Sequence, residues 1–257
     1  MRDVNENVVA LSVDGLTRRF GGLVAVDNVS FDLTGRRLNA IIGPNGAGKT
    51  TLFNLITGEI RPDMGRVQVH GQDITNLKPH EIVRHGVSRT LQIKSVFSGL
   101  TVGENVRTAV MAHERLVSPF RSAASYSAVN SRVDSIVAQV GLTPHMHTLA
   151  SALSYGDVAL LEIALALANE PRLLLLDEPV CGMGPQETEQ AVSKIREIAR
   201  SVDVILIEHD MEVVFAVADE IIVMAQGAIL ARGTPTEISN SPEVQEAYLG
   251  APEEAEG

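Results

Sequence analysis

Gly43-Pro44-Asn45-Gly46-Ala47-Gly48-Lys49-Thr50 is the stretch on which the reading of this chain turns. Its glycines let the backbone curl so that successive N–H groups face one point, and Lys49 and Thr50 follow at the fixed positions of a phosphate-cradling loop. The flanks agree. Leu38–Ile42 reads as a short buried strand running straight into the loop, and Leu52, Leu55 and Ile56 recur at helical spacing between Thr50 and Thr57. A helix that starts inside the loop adds its positive N-terminal end to the cradle. Lys49 is placed to neutralise the β- and γ-phosphates of a nucleotide, and Thr50 to offer its hydroxyl to Mg²⁺. A plain glycine turn needs neither residue.

Downstream, strand and helix alternate. Leu173–Leu176 and Val204–Ile207 are continuous apolar runs, short enough for buried parallel strands. Gln186–Arg200 carries Ala191, Val192, Ile195 and Ile198 on one helical side, and Met211–Val217 reads as a further helix. Ile221–Ala225 and Ala228–Ala231 flank Gln226-Gly227 and read as a hairpin. Such alternation predicts a mostly parallel α/β sheet with helices on its faces. Upstream, Val8–Val13, Val29–Leu33 and the Val67/Val69 pair predict strands, forming a small β-rich N-terminal layer. From about Pro79 to Ala168 the pattern turns helical, except that Ser118–Ser135, rich in Ser and Ala, predicts a loop or loose insertion.

Composition narrows the function classes. A formal net charge of −11 over 257 residues argues against broad nucleic-acid affinity, which needs clustered Lys and Arg. One cysteine, Cys181, cannot form an internal disulfide and fits a reducing compartment. The N-terminus has no signal-peptide pattern, and no apolar run approaches the roughly 20 residues needed to cross a bilayer. Any membrane role therefore falls to a partner chain. The acidic end, 251–257, has the composition of a disordered tail.

Two further strand ends carry chemistry. Leu173–Leu176 runs into Asp177-Glu178, at the carboxyl end of a strand, where open α/β sheets bind ligands. Asp177 suits the magnesium shell, and Glu178 suits accepting a proton from, or orienting, an attacking water. Val204–Ile207 runs into Glu208-His209-Asp210, where a histidine could contact the γ-phosphate. The other histidines lack metal-ligand spacing, and His145 and His147 read as loop residues.

A third stretch, Leu153-Ser154-Tyr155-Gly156-Asp157, joins the loop and the acidic pair in an order that closely resembles the ATP-binding subunits of ABC transporters. The likeness covers nearly the whole chain. It implies a P-loop NTPase (RecA-like) α/β fold, a mostly parallel sheet core with an N-terminal antiparallel β subdomain and an inserted α-helical subdomain. On that reading residues 8–250 form the nucleotide-binding domain, with the helical part at about 92–160. The resemblance implies ATP contacts from Phe20 (adenine stacking), Gly43, Pro44, Asn45, Gly46, Ala47, Gly48, Lys49, Thr50, Thr51 and Gln92, and from Ser154 and Gly156 of a second copy. It implies Mg²⁺ held by Thr50, Gln92 and Asp177, with Glu178 and His209 catalytic.

Within that family the chain is most similar to the branched-chain and hydrophobic amino-acid uptake group. Phe20–Val26, the Ser-Tyr-Gly signature, Gly182-Met183-Gly184-Pro185 and Glu246-Ala247-Tyr248-Leu249-Gly250 carry that likeness, and Ile93–Phe97 is similar to urea-importing relatives. Asp157 replaces the signature's usual glutamine, and Gly184 stands where many relatives keep an aspartate or asparagine. The implied partners are a second ATPase subunit, as homodimer or heterodimer, two membrane permease subunits and, indirectly, a periplasmic solute-binding protein. Nucleic acid is not among them, and the implied location is the cytoplasmic face of the cell membrane. Three other readings are an exporter ATPase, as in lipopolysaccharide extraction, a soluble non-transport ABC ATPase, and a GTPase switch. The last lacks any Asn-Lys-x-Asp guanine-reading motif.

Overall fold

The computed structural model describes residues 9–35, 37–90, 96–116 and 127–249. The chain begins with β1 (Val9–Phe20), β2 (Leu23–Thr34) and β3 (Leu38–Ile42), then α1 (Lys49–Ile56), β4 (Met64–Val69) and β5 (Gln72–Asp73). Next come α2 (Pro79–Arg84), β6 (Val87–Arg89), α3 (Val102–His113), α4 (Ser127–Gln139) and α5 (Tyr155–Leu167). The second half holds β7 (Leu173–Asp177), α6 (Pro185–Ala199), β8 (Asp203–Ile207), α7 (Met211–Val217), β9 (Glu220–Ala225) and β10 (Ala228–Gly233). Helices α8 (Pro235–Ser239) and α9 (Pro242–Leu249) end the described chain.

Two sheets result. One is antiparallel, in the order β2-β1-β4-β5, and the other runs β10-β9-β3-β8-β7-β6. In the second sheet β3 pairs in parallel with β8 and β9, β7 with β8, and β6 with β7. Only β10 runs antiparallel there, closing on β9 through the Gln226-Gly227 turn. Both turn residues have positive φ, 49° and 82°, the backbone a two-residue hairpin with right-handed twist requires.

Strands β3, β7 and β8 are buried at every position, because both faces of this sheet are covered. The period of two along each strand divides the core. Leu174, Leu176, Val204, Leu206, Ile221 and Val223 face one apolar cluster together with α3 to α6. Leu173, Leu175, Ile205, Ile207, Ile222 and Met224 face the other, with α1 and the inner side of the antiparallel sheet. Helix ends are set locally. Thr101 accepts from the Glu104 N–H while the Glu104 carboxylate accepts from the Thr101 N–H, a reciprocal cap on α3.

Three expectations need correction. The N-terminal strands are longer than Val8–Val13 and Val29–Leu33: β1 and β2 each span 12 residues, and the polar run Thr17-Arg18-Arg19 hid the continuation. The expected helical stretch from Pro79 is broken by β6, whose three residues add to the parallel edge beside β7 and are too few to show a period. Ser127–Ser135 of the expected loop belongs to α4, which buries Val129, Val133, Ile136 and Val137 on one side. Its intervening Ser and Ala residues diluted that stripe. His145 lies in a single helical turn, Thr143–His145, with no longer element around it. Gln92, residues 93–95, 118–126 and the acidic tail 251–257 lie outside the described residues.

Candidate active site

Parallel pairing brings the carboxyl ends of four strands to one edge of the sheet. Ile42 runs into Gly43, Arg89 into Thr90, Leu176 into Asp177-Glu178, and Ile207 into Glu208-His209. These pieces are far apart in sequence and adjacent only because β3, β8, β7 and β6 are neighbours.

The phosphate loop is held from several sides. Gly43 has φ 152°, and a Cβ placed there would lie 2.1 Å from the Met224 carbonyl oxygen of β9. Gly48 has φ 99°, and a Cβ there would lie 2.3 Å from the Ala25 carbonyl oxygen of β2. Only glycine fits these approaches. The Ala47 N–H donates to the Pro44 carbonyl, and the Gly227 N–H of the hairpin turn donates to the Ala47 carbonyl. Asn45 and Gly46 are exposed at the crest, as are Thr50 and, partly, Thr51 at the start of α1.

Lys49 is 9% exposed and donates from Nζ to the Gly43 and Pro44 carbonyls at 2.7 and 3.2 Å. Burial holds its pKa below the ordinary lysine value, while the nearby charges of Glu178 and Asp177 pull it back up. The ammonium thus lies within electrostatic reach of both acids. Asp177 has a fully buried side chain. Its Oδ2 accepts from Arg89 at 2.5 Å, and its Oδ1 has no hydrogen-bond partner among the described residues.

Glu178 continues the ladder, its N–H donating to the Ile207 carbonyl at 2.9 Å. Its φ is 49°, in the left-handed region that few non-glycine residues occupy. His209 lies with Nδ1 3.9 Å from Glu178 Oε1. The sequence-predicted pair thus meets across two strand ends.

Phe20 ends β1, is 45% exposed, and carries the Arg18 guanidinium 4.8 Å from its ring centroid. Ser154 caps α5 by accepting from the Asp157 N–H at 3.2 Å, and the Gly156 N–H donates to Glu187 Oε1 of α6 at 3.4 Å. Neither Ser154 nor Gly156 hydrogen-bonds to the phosphate loop among the described residues. The site gathers the loop, Asp177, Glu178 and His209, and Tyr155 of the signature lines a pocket with Asp177 and Glu178.

Four contributors escaped sequence reading. Glu208 is 1% exposed and accepts from the Val180 and His209 N–H groups, each at 3.2 Å; burial pushes its pKa up. Arg89 pairs with Asp177, and Glu187 holds the signature turn. Tyr248 of α9 buries its hydroxyl beside the Gly43 backbone, and that burial pushes its pKa up to about 12. Strand and helix periodicity marks where a side chain points, and says nothing about which distant group it meets.

A glycine loop between a parallel strand and a helix, with an aspartate at the end of a second strand, defines a P-loop nucleoside-triphosphate-binding protein. The chain belongs to the ABC transporter family, whose pattern it matches over residues 26–181. Residues 228–254 also match the family described as branched-chain amino acid ATP-binding cassette transporter. The chain is 41% identical to the high-affinity branched-chain amino acid transport ATP-binding protein LivG of Salmonella typhimurium, over 93% of this chain and 97% of that one. It is 40% identical to the corresponding BraF protein of Pseudomonas aeruginosa, with the same coverage. In structure it resembles a nucleotide-free ATP-binding cassette from an ABC transporter, with TM-score 0.84 and 30% identity, covering 95% of this chain and 100% of that one. A cassette in its ADP conformation gives TM-score 0.81 and 31% identity, covering 95% of this chain and 99% of that one. Nucleotide binding and ATPase activity follow from that membership.

Proposed function

We propose that this chain is the ATP-hydrolysing subunit of a membrane importer for branched-chain or other hydrophobic amino acids or related small solutes. The observation that carries the reading is the convergence of Lys49, Asp177, Glu178 and His209 at one sheet edge, in a chain whose relatives serve branched-chain amino acid transport. Residues 8–250 act as one nucleotide-binding domain with a helical part at about 92–160, and 251–257 as an acidic tail.

ATP lies with its phosphates on the Gly43–Thr51 backbone, and Phe20 offers its exposed ring to the adenine. Lys49 leaves the Gly43 and Pro44 carbonyls for the β- and γ-phosphates. The unpartnered, buried Asp177 Oδ1 and the exposed Thr50 hydroxyl make an all-oxygen donor set that suits Mg²⁺, with Gln92 as a further ligand. The metal supplies positive charge that offsets the charge developing on the phosphate oxygens. Glu178 takes a proton from the water that attacks the γ-phosphorus as the bond to the β–γ bridging oxygen breaks and ADP leaves, and His209, set beside Glu178, contacts the γ-phosphate.

Two subunits, identical or paralogous, close head to tail, so that Ser154 and Gly156 of one face the phosphates bound by the other. The exposed position of Ser154 at the N-terminus of α5, a natural anion-facing end, supports this arrangement. ATP drives closure because both halves bind it in the closed state alone. Among the described residues no helix is long and apolar enough to cross a membrane. On this reading two permease subunits carry the solute, delivered by a periplasmic binding protein, with this chain on the cytoplasmic face. The test is Glu178→Gln. It should lower hydrolysis by about 10²–10⁴-fold and accumulate an ATP-bound dimer on gel filtration. A variant that hydrolyses ATP at the wild-type rate refutes the assignment.

A further inference from the structure

Arg89 ends β6, and no motif singles it out. Its guanidinium donates through Nη2 to Asp177 Oδ2 at 2.5 Å and through Nη1 to Asn54 Oδ1 at 2.6 Å. Its Cζ lies 5.5 Å from the centroid of the Phe53 ring, which is itself fully buried and so forms a fixed platform. The planar fork therefore ties β6 and the end of β7 to α1, the helix whose first turn carries Lys49 and Thr50.

The two oxygens of Asp177 are not equivalent. The side chain is buried, Oδ2 is engaged by Arg89, and Oδ1 has no hydrogen-bond partner among the described residues. A carboxylate's terminal torsion is soft, so an aspartate alone does not fix where each oxygen points. A guanidinium with a rigid donor geometry, anchored on Asn54 and stacked on Phe53, does. We propose that Arg89 is a positioning residue for the metal site. By holding Asp177 Oδ2, it turns Oδ1 toward the magnesium of bound ATP and sets its separation from Thr50 through α1. The inference rests on the reading of Asp177 as a metal ligand.

A guanidinium beside a metal ligand also has an opposing effect, because its charge competes with the cation for the same carboxylate. Orientation and competition differ in sign, and Arg89→Lys separates them: it keeps the positive charge and loses the fork.

The experiment uses the full chain with a non-hydrolysable ATP analogue, and Mn²⁺ as a paramagnetic probe titrated by EPR. Analogue affinity is measured separately in EDTA. Arg89→Lys should weaken Mn²⁺ binding about tenfold, the scale on which partners of metal ligands act, and leave metal-free nucleotide affinity within about twofold. Asn54→Ala leaves the Arg89–Asp177 pair in place and removes its second anchor. It should weaken Mn²⁺ binding in the same direction and by less than Arg89→Lys does, and it decides the matter by the same criteria if Arg89→Lys does not fold. Mn²⁺ affinity that is unchanged or tighter overturns the proposal. An equal loss of metal and metal-free nucleotide affinity also overturns it, since that marks a merely structural role. Asp177→Asn is the control. If it binds Mn²⁺ as wild type does, the reading of Asp177 fails. If it is weakened while Arg89→Lys is not, only the role of Arg89 fails.

Discussion

Replacing Glu208 by leucine should destabilise the protein at neutral pH and loosen two loops of the site. Glu208 follows β8, and its Oε1 and Oε2 accept the Val180 and His209 N–H groups, each at 3.2 Å. One N–H belongs to the segment after Glu178 and the other to His209 itself, so a single carboxylate joins the two strand ends that carry Glu178 and His209. Leucine fills similar volume and leaves both donors without an acceptor. At about 1–3 kcal/mol for each buried unsatisfied group, the gross loss is about 2–6 kcal/mol. Glutamine keeps one acceptor oxygen, so it should be more stable than leucine by about 1–3 kcal/mol.

Charge enters with a definite sign. Burial raises the folded pKa of Glu208 above its ordinary 4.5. That contribution favours folding most fully below the unfolded value of 4.5, and it is lost as pH rises through the folded value. Glutamine has no charge to desolvate. Urea unfolding followed by circular dichroism between about pH 5 and pH 8 should therefore show the glutamine variant gaining on wild type as pH rises. Equal stability of the leucine and glutamine variants at neutral pH would refute the hydrogen-bond argument. A difference between glutamine and wild type that does not vary with pH would refute the charge argument.

Other substitutions probe the remaining parts. Gly48→Ala forces a Cβ to within 2.3 Å of the Ala25 carbonyl at φ 99°, so equilibrium dialysis should show ATP affinity reduced at least about 100-fold. Phe20→Ala should weaken ATP by about 1–3 kcal/mol in calorimetry, the scale of base–aromatic stacking. Because the ring is 45% exposed, it should leave thermal stability nearly unchanged; a loss of stability without loss of affinity would contradict its role. His70 has its pKa lowered, chiefly by burial and then by Arg172, so its contribution is present above the unfolded value of 6.5 and is lost as pH falls through the folded one. His70→Gln should therefore flatten the acid side of the stability profile below about pH 6.5, and an unaltered profile would exclude this residue as the cause.

Much of the site was legible because its chemistry is local. The spacing from Gly43 to Thr50 encodes strand, loop and helix within one short stretch, and Leu173–Asp177 announces a buried strand with an acid at its end. Apolar runs with no polar alternation required a sheet covered on both faces, and the structure supplies one. Partnership between distant residues was not legible. Arg89 reaches Asp177 across 88 positions of sequence, in a strand of three residues that no periodicity can reveal. Glu208 looks from sequence like one more acid beside a histidine, and only the packing of β7 against β8 places the Val180 N–H within its reach. The separation of Ser154 from the phosphate loop is also a tertiary fact, fixed by α5 docking on α6 through Glu187. The sequence alone determined a nucleotide loop, its acids and the strand–helix alternation of the second half, since each follows from neighbours along the chain. The tertiary structure decided which of those ends meet and how each charge is held, because hydrogen bonding and desolvation depend on distance in space.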